Sequence, residues 1–274
     1  MKEVAFGQYY PVSSFIHKMD ARVKILLSIA YIVAVFLVKE FYFWGFAVAL
    51  GYILAVCLFA KIPITKVFAS IKIILFFAIF SAVLQIFFNK EGNALVDWGI
   101  FYITDYGIKK AIFIVLRIVL VVMGTSLLTY TTTPVELSDA IESLLSPLKI
   151  IKFPAHEFAL IMSIALRYIP TLMEETDRII KAQKARGADF ESGNIFKKAK
   201  ALVPVLIPLL ICSFRRADEL ADAMDARCYS GSTNRTKYKK MTMTWRDLVA
   251  VVVTAGLIFG VVQLNITGFL ALVL

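Results

Sequence analysis

The sequence predicts an all-α polytopic membrane protein, with about five transmembrane helices and a helical cytoplasmic module inserted before the last of them. Of its 274 residues, 59% are hydrophobic and 22 are phenylalanine, and the mean hydropathy is +0.77. Soluble domains are only about half apolar. The charges are also unevenly distributed, because residues 134–246 hold 18 of the 30 lysines and arginines and 13 of the 20 acids. We therefore expect a water-facing segment between membrane spans.

Four spans are predicted within residues 1–133 and a fifth within residues 245–274. A spanning helix needs about 20 mainly apolar residues. The candidate stretches are Val23–Val38, Phe41–Ala60, Val67–Phe88, Ala111–Tyr130 and Leu248–Thr267. Two other apolar runs, Phe158–Leu166 and Leu202–Phe214, have nine and thirteen residues. Runs of that length suit a core or interfacial helix, so neither is predicted to span.

The distribution of lysine and arginine predicts the orientation, since these residues are enriched on the cytoplasmic side. Lys18, Arg22 and Lys24 flank the start of the first span, and the basic segment precedes the last one. Lys109 and Lys110 run against the rule. We expect the N-terminus and the inserted module to be cytoplasmic and the C-terminus to be outside.

The inserted module, residues 134–244, is predicted to be helical. Thr133-Pro134-Val135-Glu136 has the form of a capping box with proline at the first helical position. It should start a short amphipathic helix that lies along the membrane surface. Two long helices are expected to follow, one from about Pro154 with a bend at Pro170, and one from about Ile195.

The second half of each long helix has an amphipathic pattern. Leu172, Thr176, Ile179 and Gln183 share a face of the first helix, and the second carries an equivalent stripe, made of Ala217, Leu220, Ala221 and Met224. The patterns end at Arg186 and at Arg227. Gly187 is suited to the left-handed residue that closes a helix.

Both ends carry an Ala-Arg pair followed by a small residue, as Ala185-Arg186-Gly187 and as Ala226-Arg227-Cys228. An arginine in the last turn of a helix contributes about 0.3–1 kcal/mol through the helix dipole, which is one sufficient reason for each. The repeated context favours a second reason. An arginine at the tip of a rigid helix can enter an acidic pocket on a partner and bind a carboxylate with both arms.

At these residues the chain resembles the transmembrane T component (EcfT/CbiQ-like) of energy-coupling factor transporters. The first tripeptide matches the family motif, and the second departs from it only at Cys228. The stretch Ser14–Lys24 is similar to the family's N-terminal motif, with Ala21 where proline is usual, and Thr132-Thr133-Pro134 is also similar. Together these similarities extend over nearly the whole chain.

The resemblance implies a non-catalytic scaffold in a bacterial or archaeal cell membrane. Ala185, Arg186, Gly187, Ala226, Arg227 and Cys228 would dock two cytoplasmic ABC-type ATPases. The spans and coupling helices would hold a membrane-embedded S component that binds a vitamin or a metal ion. The chain has no G-x-x-x-x-G-K-[ST] stretch, so ATP and magnesium are expected on the partners. No catalytic residue, cofactor or metal is expected on the chain itself, and no nucleic acid among its partners.

Two alternatives remain open. A metal-dependent intramembrane lipid-modifying enzyme could use Asp218, Asp222 and Asp225, but the chain lacks the Asp-Gly dipeptide that such enzymes need. Arg215 and Arg216 are expected to pair with neighbouring acids of their own helix instead.

The other alternative is a stand-alone transporter, which would need ionisable residues inside the membrane. Arg117 is the one strong candidate within the predicted spans. We expect it to snorkel or to bind backbone carbonyls inside the bundle. The cysteines, Cys57, Cys212 and Cys228, are isolated, and their spacing predicts no metal site.

Overall fold

The computed structural model describes residues 9–39, 42–88, 94–98, 101–145, 155–190, 194–229, 231 and 242–273. In these ranges the chain is mostly helical, which confirms the predicted fold class. It divides into a larger unit, Ala5–Ile151 with Met241–Leu274, and a smaller unit within Lys152–Lys240. The described part of the larger unit forms six helices and a hairpin: α1 Ala21–Leu37, α2 Phe43–Ala60, α3 Ile64–Phe88, β1 Ala94–Trp98, β2 Phe101–Thr104, α4 Asp105–Thr131, α5 Pro134–Leu145 and α8 Trp245–Val273.

Among the described residues of the larger unit, three helices are long and apolar enough to cross a membrane: Phe43–Ala60, Asp105–Thr131 and Trp245–Ile266. A fourth span is formed if the two parts of α3, Ile64–Lys72 and Ile74–Phe88, which meet at 55°, are counted together. Helix α1 has 17 residues, at the lower limit of about 17–25 for a span. The positions of the predicted apolar helices are therefore confirmed, while the count of five spans stays a prediction.

The core of the larger unit brings α1 and α4 into close contact. Tyr31 on α1 is 2% exposed, and its hydroxyl donates to the Leu120 carbonyl at 3.2 Å. Its ring lies against Gly124, where an added Cβ would overlap the Tyr31 ring at Cε1. The absence of a side chain at Gly124 is what lets the two helices approach.

Polar side chains satisfy the carbonyls at the end of α1. Arg117 Nη2 on α4 donates to the Val38 carbonyl at 2.8 Å, and the guanidinium lies over the Phe113 ring at 4.6 Å. Asn265 Nδ2 on α8 donates to the Leu37 carbonyl at 2.8 Å. Helix ends leave such carbonyls without partners of their own. The expected role of Arg117, binding backbone carbonyls inside the bundle, is confirmed.

An antiparallel hairpin, β1 with β2, precedes α4 and was not predicted. Trp98 pairs with Phe101, and Asp97 pairs with Tyr102. The signal was present in the aromatic and β-branched residues on both sides of Gly99-Ile100, a dipeptide compatible with a two-residue turn. The sequence pattern of strands this short is easily missed between two apolar helices.

Helix α5 begins as the capping box predicts. Thr133 Oγ1 accepts from the Glu136 N–H at 3.3 Å, and the Thr133 carbonyl accepts from the Leu137 N–H at 2.9 Å. The helix packs against α1 and belongs to the larger unit. By contacts, the division between units falls after Ile151, whereas the sequence grouped α5 with the inserted module.

The smaller unit is formed by two long helices, α6 Ala155–Ala185 and α7 Ile195–Ala226. Both begin close to the predicted positions, although Pro154 itself lies outside the described residues. Pro170 lies inside α6, and Pro204 and Pro208 lie inside α7. Both helices continue past their prolines. In each, the apolar first half and the charged second half therefore belong to one helix.

Candidate functional site

The end of α6 is a Schellman motif that positions Arg186. Gly187 adopts the left-handed conformation, with φ +87°. Its N–H donates to the Lys184 carbonyl at 3.0 Å, and the Ala188 N–H donates to the Gln183 carbonyl at 3.0 Å. This pair of bonds defines the motif and makes Arg186 the C-cap residue. The prediction that Gly187 closes the helix in the left-handed conformation is confirmed.

The end of α7 has the same geometry although its left-handed residue is a cysteine. Cys228 has φ +56°. Its N–H donates to the Asp225 carbonyl at 2.9 Å, and the Tyr229 N–H donates to the Met224 carbonyl at 3.0 Å. Arg227 is therefore the C-cap residue of α7, as Arg186 is of α6. The departure from glycine at Cys228 leaves the form of the helix end unchanged.

Both arginines are exposed, as are Ala185 and Ala226 before them and Gly187 and Cys228 after them. Within the described part of the chain, neither guanidinium forms a hydrogen bond or an ion pair. Each arginine thus keeps its full set of donors available at the end of a helix. A guanidinium in this state can bind a carboxylate through two parallel hydrogen bonds.

The predicted face of α6 is half-buried along its length, whereas the predicted stripe of α7 is only partly covered, because Ala217 and Ala221 are exposed. Leu172, Thr176, Ile179 and Gln183 are half-buried on α6, and the half-buried residues of α7 include Leu220 and Met224. The ion pair at this interface was not predicted. Arg216 of α7 pairs with Glu175 of α6 and not with an acid of its own helix, so the expected local pairing is wrong for Arg216.

A second contact uses a carbonyl that proline leaves without its helical partner. In a helix the Pro204 carbonyl would accept from the N–H of residue 208, but Pro208 has none. Gln183 Nε2 on α6 donates to the Pro204 carbonyl at 3.4 Å instead. Gln183 is also the residue whose carbonyl closes the Schellman motif, so the end of α6 is linked directly to the middle of α7.

These two contacts determine where the arginines lie. From Glu175 to Gln183 along α6, the partner on α7 changes from Arg216 back to Pro204. The helices therefore run antiparallel where they touch. Arg186 follows Glu175 by eleven positions, and Arg227 follows Arg216 by eleven. At about 1.5 Å per residue, each arginine is about 16 Å from the ion pair and the two lie at opposite ends of the pair. The structure therefore separates the two tips.

The acidic residues of α7 do not form a metal site in the part of the chain that the structure describes. Asp218, Asp222 and Asp225 are all exposed. No group of three histidine, cysteine, aspartate or glutamate side chains there could hold an ion. Cys57 is buried, Cys212 is half-buried, and Cys228 is exposed.

Comparison with known proteins identifies the family. Residues 12–238 match the model of the CbiQ family, described as a cobalt transport protein. The energy-coupling factor transporter transmembrane protein EcfT of Ruminiclostridium cellulolyticum is 45% identical over 98% of this chain and 100% of its own length. The EcfT of Clostridium kluyveri is 49% identical over 91% of this chain and 92% of its own, and that of Bacillus subtilis is 42% identical over 94% and 98%. The chain therefore belongs to the CbiQ family of transmembrane transporter components.

Proposed function

We propose that the chain couples two cytoplasmic ATPases to a membrane-embedded S component in an ATP-driven uptake transporter for a vitamin or a metal ion. The observation that carries the proposal is the pair of helix ends. Arg186 and Arg227 occupy the same C-cap position in the same backbone motif, and both are exposed. Two equal tips at opposite ends of one helix pair suit two partner subunits of the same kind.

The packing of α6 on α7 suits the transmission of force. A displacement at one tip has to move the other helix, because the Glu175–Arg216 ion pair and the Gln183–Pro204 bond join them. The arginines would enter acidic pockets on the ATPases. The closure of the ATPases on ATP would then shift both tips together.

The apolar half of α7 is the proposed contact with the S component and the bilayer surface. Val203, Leu206, Ile207, Leu210 and Phe214 are between 44% and 63% exposed. Their spacing places them along one side of the helix. Burying such a side chain contributes about 1.5–3 kcal/mol, so an apolar partner is strongly favoured over water. We propose the orientation with the N-terminus and these helices in the cytoplasm and the C-terminus outside.

The proposal is tested by identifying what binds the chain. The tagged chain is expressed in its native host, extracted in mild detergent and analysed by mass spectrometry. We expect two ATPase copies and one small membrane protein for each chain. The complex is then placed in liposomes with ATP and tested with radiolabelled riboflavin, folate, thiamin, biotin, cobalt and nickel. The chain alone serves as the control.

Uptake by the complete complex and none by the chain alone would support the coupling role. Uptake by the chain alone would support the stand-alone transporter. Isolation of the chain without ATPases would overturn the proposal. The double variant with Arg186→Glu and Arg227→Glu is the matched control for specificity, because it leaves the membrane helices unchanged and should lose the ATPases.

A further inference from the structure

The N-terminal stretch Tyr10–Lys24 has no part in the coupling mechanism described above, although three of its polar side chains, Ser14, Asp20 and Lys24, are buried. It contacts Thr131, three residues before the inserted module (residues 134–244) begins, and Asp247, three residues after the module ends. We call His17, Asp20, Lys24, Thr131 and Asp247 the root cluster. Asp20, Lys24, Thr131 and Asp247 are each between 3% and 8% exposed.

Lys24 binds the C-terminal end of α4, just before the inserted module begins. Its ammonium donates to the carbonyl of Thr131, the last residue of α4, at 2.9 Å, and to the carbonyl of His17 at 3.1 Å. Carbonyls at a helix C-terminus carry partial negative charge, so a cation is favoured there. Thr131 lies two positions before Thr133, the residue that caps α5. The ammonium thus joins the start of α1 to the point where the module begins.

Asp247 binds the turn before α8, where the inserted module ends. Its Oδ2 accepts from the Thr244 N–H at 2.7 Å, and its Oδ1 accepts from the Asp20 N–H at 2.9 Å. The first bond closes the turn that starts α8, and the second attaches this turn to the residue before α1. The Asp20 side chain in turn caps α1 by accepting from the Arg22 N–H at 2.9 Å.

His17 keeps the stretch before these two attachments, Tyr10–His17, in one conformation. Its Nε2 donates to the Tyr10 carbonyl at 3.0 Å, and its Nδ1 lies 2.7 Å from Ser14 Oγ. Burial lowers the pKa of the imidazole, which favours the neutral ring with Nδ1 accepting from the Ser14 hydroxyl. The Tyr10 N–H donates to the Tyr130 carbonyl at 3.0 Å, a further link to the end of α4.

We infer that the root cluster holds both ends of the inserted module, residues 134–244, against the start of α1, with Lys24 and Asp247 as positioning residues for coupling. One short stretch binds the chain on departure and on return, so neither root can move without the other or without α1. A displacement that reaches either of these two points of the chain therefore also moves α1. This inference rests on the proposed function.

The test compares Lys24→Met and Asp247→Asn with the wild-type chain in the complete complex with its ATPases and S component. Both variants keep the arginine tips, so we expect ATPase content and ATP hydrolysis to stay near wild-type values. Uptake per ATP hydrolysed, measured with whichever of the six radiolabelled probes the wild type transports, should fall about tenfold, within the range for residues that carry coupling. Deuterium uptake at residues 131–137 and 244–250 should rise.

Three variants serve as controls. Lys72→Met removes an exposed ammonium from α3, and Ser28→Ala changes a residue one turn from Lys24 whose hydroxyl donates to the Ile25 carbonyl of its own helix. Both should transport normally. Lys24→Arg keeps the charge and the donors, and the adjoining cavity of about 100 Å³ leaves room for the larger group. It should restore most of the coupling that Lys24→Met loses.

Normal uptake per ATP in both test variants would overturn the inference while leaving the proposed function intact. A parallel loss of complex yield, ATP hydrolysis and uptake, or failure of both variants to assemble, would show that the cluster only stabilises the fold, and would also overturn it. A wild-type chain that captures no ATPase would instead overturn the proposed function, so the two failures are distinguishable.

Discussion

The ends of α6 and α7 share one backbone geometry but differ in the residue that makes it possible. Gly187 reaches its positive φ without a Cβ, and the space around it is open to 4 Å. Cys228 adopts the same left-handed conformation with a Cβ, which costs roughly 1–2 kcal/mol. The bonds around them nevertheless agree to within about 0.1 Å. The position of the arginine is therefore determined by the two Schellman bonds, and the third residue of the tripeptide changes only what the conformation costs.

The settings of the two tips are also matched. Each arginine follows one member of the Glu175–Arg216 ion pair by eleven residues. Neither forms an ion pair within the described ranges. Two helices without sequence identity over most of their length thus present the same cation at the same distance from their contact. The two tips should therefore respond alike to changes at the arginines and differently to changes at the third residue of each tripeptide.

Charge reversal should have the largest effect and should be alike at both tips. Arg186→Glu and Arg227→Glu each place a negative charge where an acidic pocket is proposed, and an unpaired buried charge costs about 2–5 kcal/mol. ATPase affinity, measured by titration onto the purified chain, should fall accordingly, and transport should be strongly reduced. Membrane insertion should be unchanged.

Arg178→Glu is the matched control, because Arg178 is an exposed arginine of the same helix that lies away from the tip. It should bind ATPases as the wild type does. If the tip variants and the control bind equally well, the arginines act only on their own helix ends.

Loss of the ion pair should destabilise the contact between α6 and α7, which supports both tips. The free-energy change should be smaller than the loss of ATPase binding on charge reversal. Glu175 and Arg216 are 23% and 28% exposed, so the pair is only partly screened. We expect a coupling free energy of about 1 kcal/mol in a double-mutant cycle with Glu175→Ala and Arg216→Ala, measured by thermal unfolding. Additive effects of the two substitutions would contradict this.

Exchange of the left-handed residues should have the smallest effect, with opposite signs at the two tips. Gly187→Ala adds a Cβ at φ +87° and should destabilise the end of α6 by about 1 kcal/mol. Cys228→Gly removes the strain at φ +56° but adds freedom to the unfolded chain, so a net gain of about 0.5 kcal/mol is expected.

The measurement is hydrogen exchange at the Ala188 and Tyr229 amides, which donate the outer Schellman bonds. Faster exchange at Ala188 in the first variant and slower exchange at Tyr229 in the second are expected. Shifts of the same sign at both amides would show that the third residue affects the two ends in the same way.

Much of the fold could be predicted, because a long run of uncharged residues in a membrane protein is almost always a spanning helix. Phe41–Ala60 was predicted as a span, and α2 is Phe43–Ala60. The end of α6 could also be predicted from the sequence, since a glycine after a charged amphipathic helix favours a left-handed cap. Arg117 is predicted either to snorkel or to bind backbone carbonyls, and it binds the Val38 carbonyl, because a membrane interior offers it few other acceptors.

The rest depended on contacts between segments that are distant in sequence. Arg216 has acids of its own helix at favourable spacing, and only the packing of α6 against α7 brings Glu175 closer. The left-handed conformation of Cys228 is imposed by its two neighbouring bonds and contradicts the preference of its residue type. The links of Lys24 to Thr131 and of Asp20 to Asp247 span 107 and 227 positions, which no local pattern could reveal.

The central claim, that both tips contact ATPases, is tested most directly by photo-crosslinking at the neighbouring alanines. A photoreactive residue is placed at Ala185 or Ala226, which keeps both arginines, and at Ala217, an exposed position next to the ion pair, as the control. We predict ATPase cross-links from positions 185 and 226, and few from position 217. Absence of ATPase cross-links from both tips in the intact complex, or equal cross-linking from position 217, would contradict the account.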